Sequence, residues 1–420
     1  MTLTPAEQRV ADAVNADSIV ADLAALVAIP SVGGSAAEVQ VQRWFAGTLA
    51  ELGAKVDHWS IDLVEARSAP AYPGEEVGRD EAYGCVGVIG GGPTAAEPAL
   101  ILNGHTDVVP PGLAAWAHEP WRLSVINDRL HGRGASDMKG GLAAVLGAVR
   151  ALRTSGIQMR RPLAVHAVIG EEDGGLGTFA TLRRGHGGDC CVIAEPTDGS
   201  VVPANAGSLT FRLDVPGRAA HGSSRLDGYS AIDGFVPLLA ALRRLEARRN
   251  RDIHPLLAHL ALPYPISVGI VRAGDWASTV PDHLTAEGRY GVRLDEPVEA
   301  AKAELEAAVA LACADDPWLS DHPAALSWSG GEFASGRLPD GHPLVDDVCA
   351  AVEDALGWRP AVRGAPYGSD LRQYAAAGIP TVQAGPGSVA SAHAVDESTS
   401  LTELVAFARS YAVLALRLCG

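Results

Sequence analysis

Three short apolar runs in this chain each stop against residues that can bind a metal ion, and that repetition constrains the fold more than any other feature. Residues 99–102 run into Asn103-Gly104-His105-Thr106-Asp107, residues 163–170 into Glu171-Glu172, and residues 190–194 into Glu195. Predominantly apolar runs of this length suit strands buried on both faces of a parallel sheet. In open α/β sheets, ligands gather outside the carboxyl ends of the strands. One sheet edge is therefore expected to carry His105, Asp107, Glu171, Glu172 and Glu195. Two turns add candidates: Asp137, just before Met138-Lys139-Gly140-Gly141, and His393, in Ser391-Ala392-His393.

Around these runs the pattern is that of an α/β chain. Helical periodicity covers residues 17–28 and 38–52, and strand-like alternation covers 55–63. Residues 68–80, rich in Pro, Gly and acid, read as an exposed loop. A strand at 86–89 leads into the turn Gly90-Gly91-Gly92-Pro93, and the Ala-rich helix 142–152 reads as buried against the sheet. The character changes near Ser208. Strand 209–215, helix 230–249, strands 266–272 and 284–294, and helix 298–313 argue an antiparallel sheet covered on one face. At 420 residues the chain exceeds one ordinary core. Two domains are expected, a discontinuous α/β domain (1–206 and 323–420) and an insert (207–322). Helices 344–356 and 371–376, strand 381–384 and a last helix from 402 complete the first. Arg243, Arg244, Arg248, Arg249 and Arg251 read as a solvated helix end, where cations suit the dipole. His166, inside a strand, reads as a core histidine, and His131 and His186 as surface groups in turns.

Charge narrows the partners. Lys+Arg number 33 against Asp+Glu 50, a net charge of −17, so there is no basic footprint for nucleic acid or an anionic membrane. The six cysteines show no metal-binding or framework spacing, which suits a reducing, cytoplasmic setting. Residues 1–8 lack the basic and apolar regions of a signal peptide. No run approaches the roughly 20 apolar residues of a membrane span.

Two imidazoles and several carboxylates suit a pair of zinc-like ions about 3.5–4 Å apart. Such a pair can activate a water and polarise an amide carbonyl. One further carboxylate must take the water's proton and pass it to the leaving amine. The tandem Glu171-Glu172 offers a ligand and a base from adjacent positions.

The ordered motifs GHTDVVP (104–110), GRGASDMKGG (132–141), Glu171-Glu172 before Gly174, AEPT (194–197), GRAAHGS (217–223) and SAHAVDE (391–397) span most of the chain. They resemble the co-catalytic zinc amidohydrolases that include acetylornithine deacetylase, succinyl-diaminopimelate desuccinylase, aminoacylase and carboxypeptidase G. The resemblance implies a zinc-aminopeptidase-like α/β domain interrupted by a ferredoxin-like α+β dimerisation (lid) domain. It implies two divalent metal ions, zinc first, with cobalt or manganese as alternatives. Asp137 would bridge them, His105 and Glu195 would complete one site, and Glu172 and His393 the other. Glu171 would be the general base, Asp107 would orient His105, and the Asp137–Met138 peptide would be cis. His221 would reach from a partner subunit to the oxyanion of the opposite site, which makes a homodimer part of the expectation.

The implied activity is hydrolysis of an amide in an N-acylated amino acid or related small amine. A dipeptidase or carboxypeptidase is the alternative within the group, and a catalytically inactive metal-binding protein the alternative outside it. The chain departs from the group's pattern where substrate would be held. Ser278 stands for an expected Asn, and Gly291 and Glu332 for expected arginines. Either Arg289 and Arg337 rebuild a carboxylate clamp, the favoured expectation because a bidentate arginine is the natural reader of a carboxylate, or the substrate has no free carboxylate.

Overall fold

In the computed structural model, which describes residues 3–91 and 97–420, the three apolar runs are strands Leu100–His105, Leu163–Val168 and Cys191–Pro196. Every residue of all three is buried. Leu100–His105 lies between the other two and parallel to both, with Leu100 opposite Leu163, His105 opposite Val168 and Ile101 opposite Cys191. That register brings the three carboxyl ends to one edge. The sheet continues through antiparallel Tyr83–Ile89 and Lys55–Ser60 on one side and through Thr381–Gly385, parallel to Cys191–Pro196, on the other. Gly92 and Pro93 of the expected turn lie outside the described residues.

Helix Lys139–Ser155 is built from small residues because it must lie close to the sheet. A Cβ on Gly141 would stand 2.1 Å from the carbonyl oxygen of Ala194, the residue before Glu195. A Cβ on Gly104 would stand 2.7 Å from Leu142 Cδ2. The helix stops at Gly156, whose left-handed φ of 68° forms its C-cap. Helix Leu401–Cys419 packs beside it with Leu404, Phe407, Ala408 and Tyr411 buried in the same core.

The chain divides into two compact units. One comprises the chain up to Ala204, with Arg337–Arg363 and Asp370–Gly420; the other comprises Asn205–Gly336 and Gly364–Ser369. The second unit has the β-α-β-β-α-β order of ferredoxin-like folds. Its antiparallel strands run Ile266–Ala273, His283–Val292, Gly207–Pro216, Ala325–Phe333 across the sheet, with helices Ala231–Arg249 and Val298–Ala314. Strict alternation along Gly207–Pro216 puts Leu209, Phe211, Leu213 and Val215 into the core with Leu238, Leu242, Leu305 and Val309.

Four local expectations need correction. The insert does not stop at 322, because Ala325–Phe333 pairs with Gly207–Pro216, Leu326 opposite Leu213. Its Ser-Gly-Gly stretch has weak strand propensity and hides it in the sequence. The strand expected over 55–63 ends at Ser60, and Asp62 caps a short helix, Leu63–Ser68, by accepting from the Val64 and Glu65 N–H groups. The loop at 68–80 is not wholly exposed, since Arg79 is buried between Glu38 and Asp173 with hydrogen bonds of 2.8–2.9 Å to both. Arg249 is not part of a solvated helix end. It is fully buried, pairs with Glu296 and Glu304, donates to the Gly291 carbonyl and stacks over Tyr290 at 4.5 Å.

All six cysteines are free and buried. Among the described residues, no helix is long and apolar enough to cross a membrane.

Two glycines in helices separate propensity from packing. Gly47 is exposed within Ala36–Glu51 with nothing within 4 Å of an added Cβ, so Gly47→Ala should stabilise by about 0.5–1 kcal/mol. Gly141→Ala gains the same propensity but drives a methyl into a backbone carbonyl, and should destabilise by about 1–3 kcal/mol net. Urea unfolding of both variants checks the opposite signs.

Candidate metal centre

The expected ligands converge in the first unit. His105 closes its strand with the ring buried, its Nε2 3.0 Å from Asp137 Oδ1 and 3.8 Å from Glu195 Oε1. The other carboxylate oxygen of Asp137, Oδ2, lies 3.6 Å from His393 Nε2, which is 2.9 Å from Glu172 Oε2. Asp137 thus faces one imidazole with each oxygen, the posture of a bridging ligand. Ligand atoms of His105, Glu171 and Glu195 lie within 4.8 Å of one another, as do those of His105, Asp137 and Glu172. The Asp137–Met138 peptide is cis, as the resemblance implied. His393, at φ 59°, is held in a left-handed conformation that a side chain other than glycine's rarely adopts.

Asp107 orients His105 in a different way from that expected. The imidazole Nδ1 is 2.9 Å from the backbone carbonyl of Asp107 and 3.7 Å from its carboxylate. The carboxylate accepts instead from the Glu172 N–H, at 3.1 Å, and so braces the Glu171-Glu172 turn. The short His-x-Asp spacing let the main chain reach the ring first.

Electrostatics favour cations here. Burial, with the charges of Glu195 and Asp370, pushes Glu171 well above the usual carboxylate range. Burial likewise raises Glu195 strongly, and burial with the Asp137 charge raises Glu172 to about 7. Burial also opposes the charge on Asp137, but His105 and His393 outweigh it and hold that carboxyl low. The bond to Glu172 raises His393 to about 9. Asp107 Oδ1 and Glu172 Oε1 are buried without a hydrogen-bond partner. More carboxylates than imidazoles, with buried oxygens unpaired, is a donor set that fits two divalent cations of the zinc class.

The remaining site candidates sit elsewhere. His221, in the second unit, is exposed; its Nδ1 caps a short helical turn, accepting from the Ser223 N–H at 3.2 Å with Ser223 Oγ at 2.7 Å. Ser278 is exposed, and its carbonyl accepts from the Gly222 N–H. Arg289 donates to Ser208 Oγ at 2.6 Å and to the Pro366 carbonyl at 3.0 Å, both uncharged. Arg337, in the first unit, pairs with Asp340 at 3.1 Å. His166 is a fully buried core residue, bonded to Tyr374 Oη at 2.8 Å. His186 pairs with Asp57 at 2.9 Å, and the His131 ring meets that of His118 at a tilt, centroids 4.6 Å apart, half-buried rather than on the surface.

Reading the sequence missed the residues that brace the site. Lys139 is fully buried, its ammonium donating to the carbonyls of Leu26 and Ile29, and burial pulls it down to about 7. Arg372 donates to the Gly174 carbonyl, and Gln373 to that of Gly175, just past the Glu171-Glu172 pair. Only Lys139 stood inside a quoted motif; Arg372 and Gln373 carry no spacing signal.

Similarity to known proteins agrees with this geometry. Residues 101–417 match peptidase family M20/M25/M40. The chain is 29% identical over 395 residues to an N-formyl-4-amino-5-aminomethyl-2-methylpyrimidine deformylase of Bacillus subtilis, covering 88% of this chain and 87% of that one. It is 33% identical over 324 residues to a succinyl-diaminopimelate desuccinylase of Methylobacterium nodulans, covering 74% and 78%. Human carnosine dipeptidase 1 shares the fold, with a TM-score of 0.76 at 17% identity and full coverage of both chains. With motifs, fold and ligand cluster in agreement over most of its length, this chain belongs to the M20/M25/M40 family of peptidases and amidohydrolases.

Proposed function

We propose that this protein is a two-metal deacylase that hydrolyses the amide of a small N-acyl amine, with Glu171 as general base. The observation that carries the reading is the convergence of His105, Asp137, Glu172, Glu195 and His393 at the ends of the strands, with the buried Glu171 grouped with His105 and Glu195. Asp137 would be shared by two cations, with His105 and Glu195 on one side and Glu172 and His393 on the other. Bound there, two divalent cations would polarise the scissile carbonyl and make a water acidic near neutral pH.

The chain's own groups then carry the proton. Glu171, raised by its buried surroundings, would take it from the attacking water and return it to the departing amine nitrogen. His221 of a second copy would donate to the developing oxyanion, which makes a homodimer part of the proposal. Ser278 and Arg289 of the second unit, and Arg337 of the first, would be the residues that meet the substrate.

For the substrate, the proposal is a short acyl group, formyl or acetyl, on an amine that need not carry a carboxylate. The deformylase relative is matched across more of this chain than the desuccinylase. Position 291 has little space for an arginine, because an added Cβ would stand 3.0 Å from Tyr264 backbone atoms. Glu332 is engaged by Lys302, and Arg337 by Asp340.

Glu171→Gln should lower kcat by about 10²–10⁴-fold with two metal ions per chain retained; simultaneous loss of metal would make Glu171 a ligand. Prolonged chelation should abolish turnover, with zinc or cobalt restoring it, and activity that survives chelation would end the two-metal reading. On a panel of N-formyl and N-acetyl amines, N-acyl amino acids and dipeptides, the short N-acyl amines should show the highest kcat/KM. A dipeptide preference would move the protein to the peptidase branch.

A further inference from the structure

We propose that Glu397 is the positioning residue that sets Asp137 to face two cations at once and locks the Asp137 turn to the segment carrying His393. The inference rests on the two-metal reading and extends it to a residue that is no ligand. Glu397 closes SAHAVDE and is 1% exposed. Its carboxylate accepts four hydrogen bonds. Oε1 takes the N–H of Ser136 at 2.8 Å and of Asp137 at 2.9 Å; Oε2 takes the N–H of Gly134 at 3.0 Å and Nη1 of Arg133 at 2.5 Å. Three of the donors are main-chain groups of the turn that ends at Asp137, so the carboxylate dictates the path of that backbone.

The same group reaches the other ligand. Arg133, stacked over Trp116 at 5.0 Å, directs Nη2 at the carbonyls of His393 and Pro110, each at 3.4 Å. Glu397 is itself four residues beyond His393, and the Gly132 N–H donates to the Glu397 carbonyl at 2.9 Å. Two segments more than two hundred residues apart in sequence are therefore joined through one side chain. Hydrogen bonds from a backbone nest to a charged acceptor are among the strong ones. Glutamine in this place keeps the size but turns one oxygen into a donor pointed at N–H groups. The turn would have to give way, and Asp137 would lose its double-facing pose.

The test uses Glu397→Gln and Glu397→Asp in the full-length, chelated protein, titrated with cobalt(II) chloride. Visible absorption reports coordination, calorimetry reports stoichiometry, and thermal melting without metal reports the fold. Wild type should take two cobalt ions per chain. Glu397→Gln should bind one ion near wild-type affinity and the second at least 10-fold more weakly, with an altered visible spectrum. Its kcat should fall about 100-fold with KM within 3-fold. Glu397→Asp, which keeps the charge but loses reach, should fall between. Variants with the wild-type spectrum and two wild-type affinities would overturn the inference while leaving the two-metal reading intact. A wild type that takes up no cobalt would overturn both. Should Glu397→Gln melt early without metal, Glu397→Asp decides: a folded Asp variant with a normal second site overturns the inference.

Discussion

The structure depends on holding several carboxylates together, out of water, at the ends of three parallel strands. Like charges brought this close and this deep repel one another and lose hydration, which pushes a carboxyl group toward its neutral form unless an imidazole faces each of its oxygens, as at Asp137. Glu171, Glu172 and Glu195 all show that push. Two imidazoles do not offset it, whereas two divalent cations would convert mutual repulsion into shared coordination. A fold that assembles such a cluster with more carboxylates than imidazoles stores an affinity for cations, and the rest of the first unit serves to keep the cluster from relaxing apart.

Close packing supplies the first restraint. The helix that follows Asp137 approaches the Glu195 strand so nearly that only glycine fits at position 141. The ligand-bearing turn is thereby pinned to the sheet that carries the other ligands. Buried ion pairs supply the second. Arg79 grips Asp173, the residue after Glu172, and ties it to Glu38 on a helix far away in sequence. Burial, with the charge of Asp107 adding to it, raises Glu38 to about 7 even though Arg79 opposes the shift. Such a pair adds little net stability, but removing one partner strands the other's charge, at a cost of about 3–5 kcal/mol. Its value here is geometric.

The sheet edge and its ligands were legible in the sequence because strand-end placement follows from apolar runs that stop at a defined residue. His105, Glu172 and Glu195 needed no tertiary information beyond the order of parallel strands. His393 and Asp137 lie on turns and became legible through motif order. What stayed hidden depends on contacts between distant segments. Nothing near Arg79 or Arg249 in sequence marks them as buried, since their carboxylate partners lie on other elements. Strand Ala325–Phe333 was missed because its pairing with Gly207–Pro216, and not its own propensity, makes it a strand. Asp107 was read correctly as a neighbour of His105, but spacing alone could not say whether carbonyl or carboxylate would reach the ring.

These two restraints explain why sequence carries the reading further for the metal-centre candidates than for the residues expected to meet substrate. Among the candidate ligands, His105, Asp137, Glu172 and Glu195 are each tied to a neighbour by a main-chain contact or a charge, and the exposed His393 by its pair with Glu172, so changing one neighbour disturbs several of them together. Arg289, by contrast, donates to a hydroxyl and a carbonyl, and Ser278 and His221 lie on exposed loops of a separate compact unit. Substitutions there leave the charge cluster intact. Full-length similarity, to relatives named for different acyl groups, therefore identifies the family of this chain more sharply than it identifies a substrate.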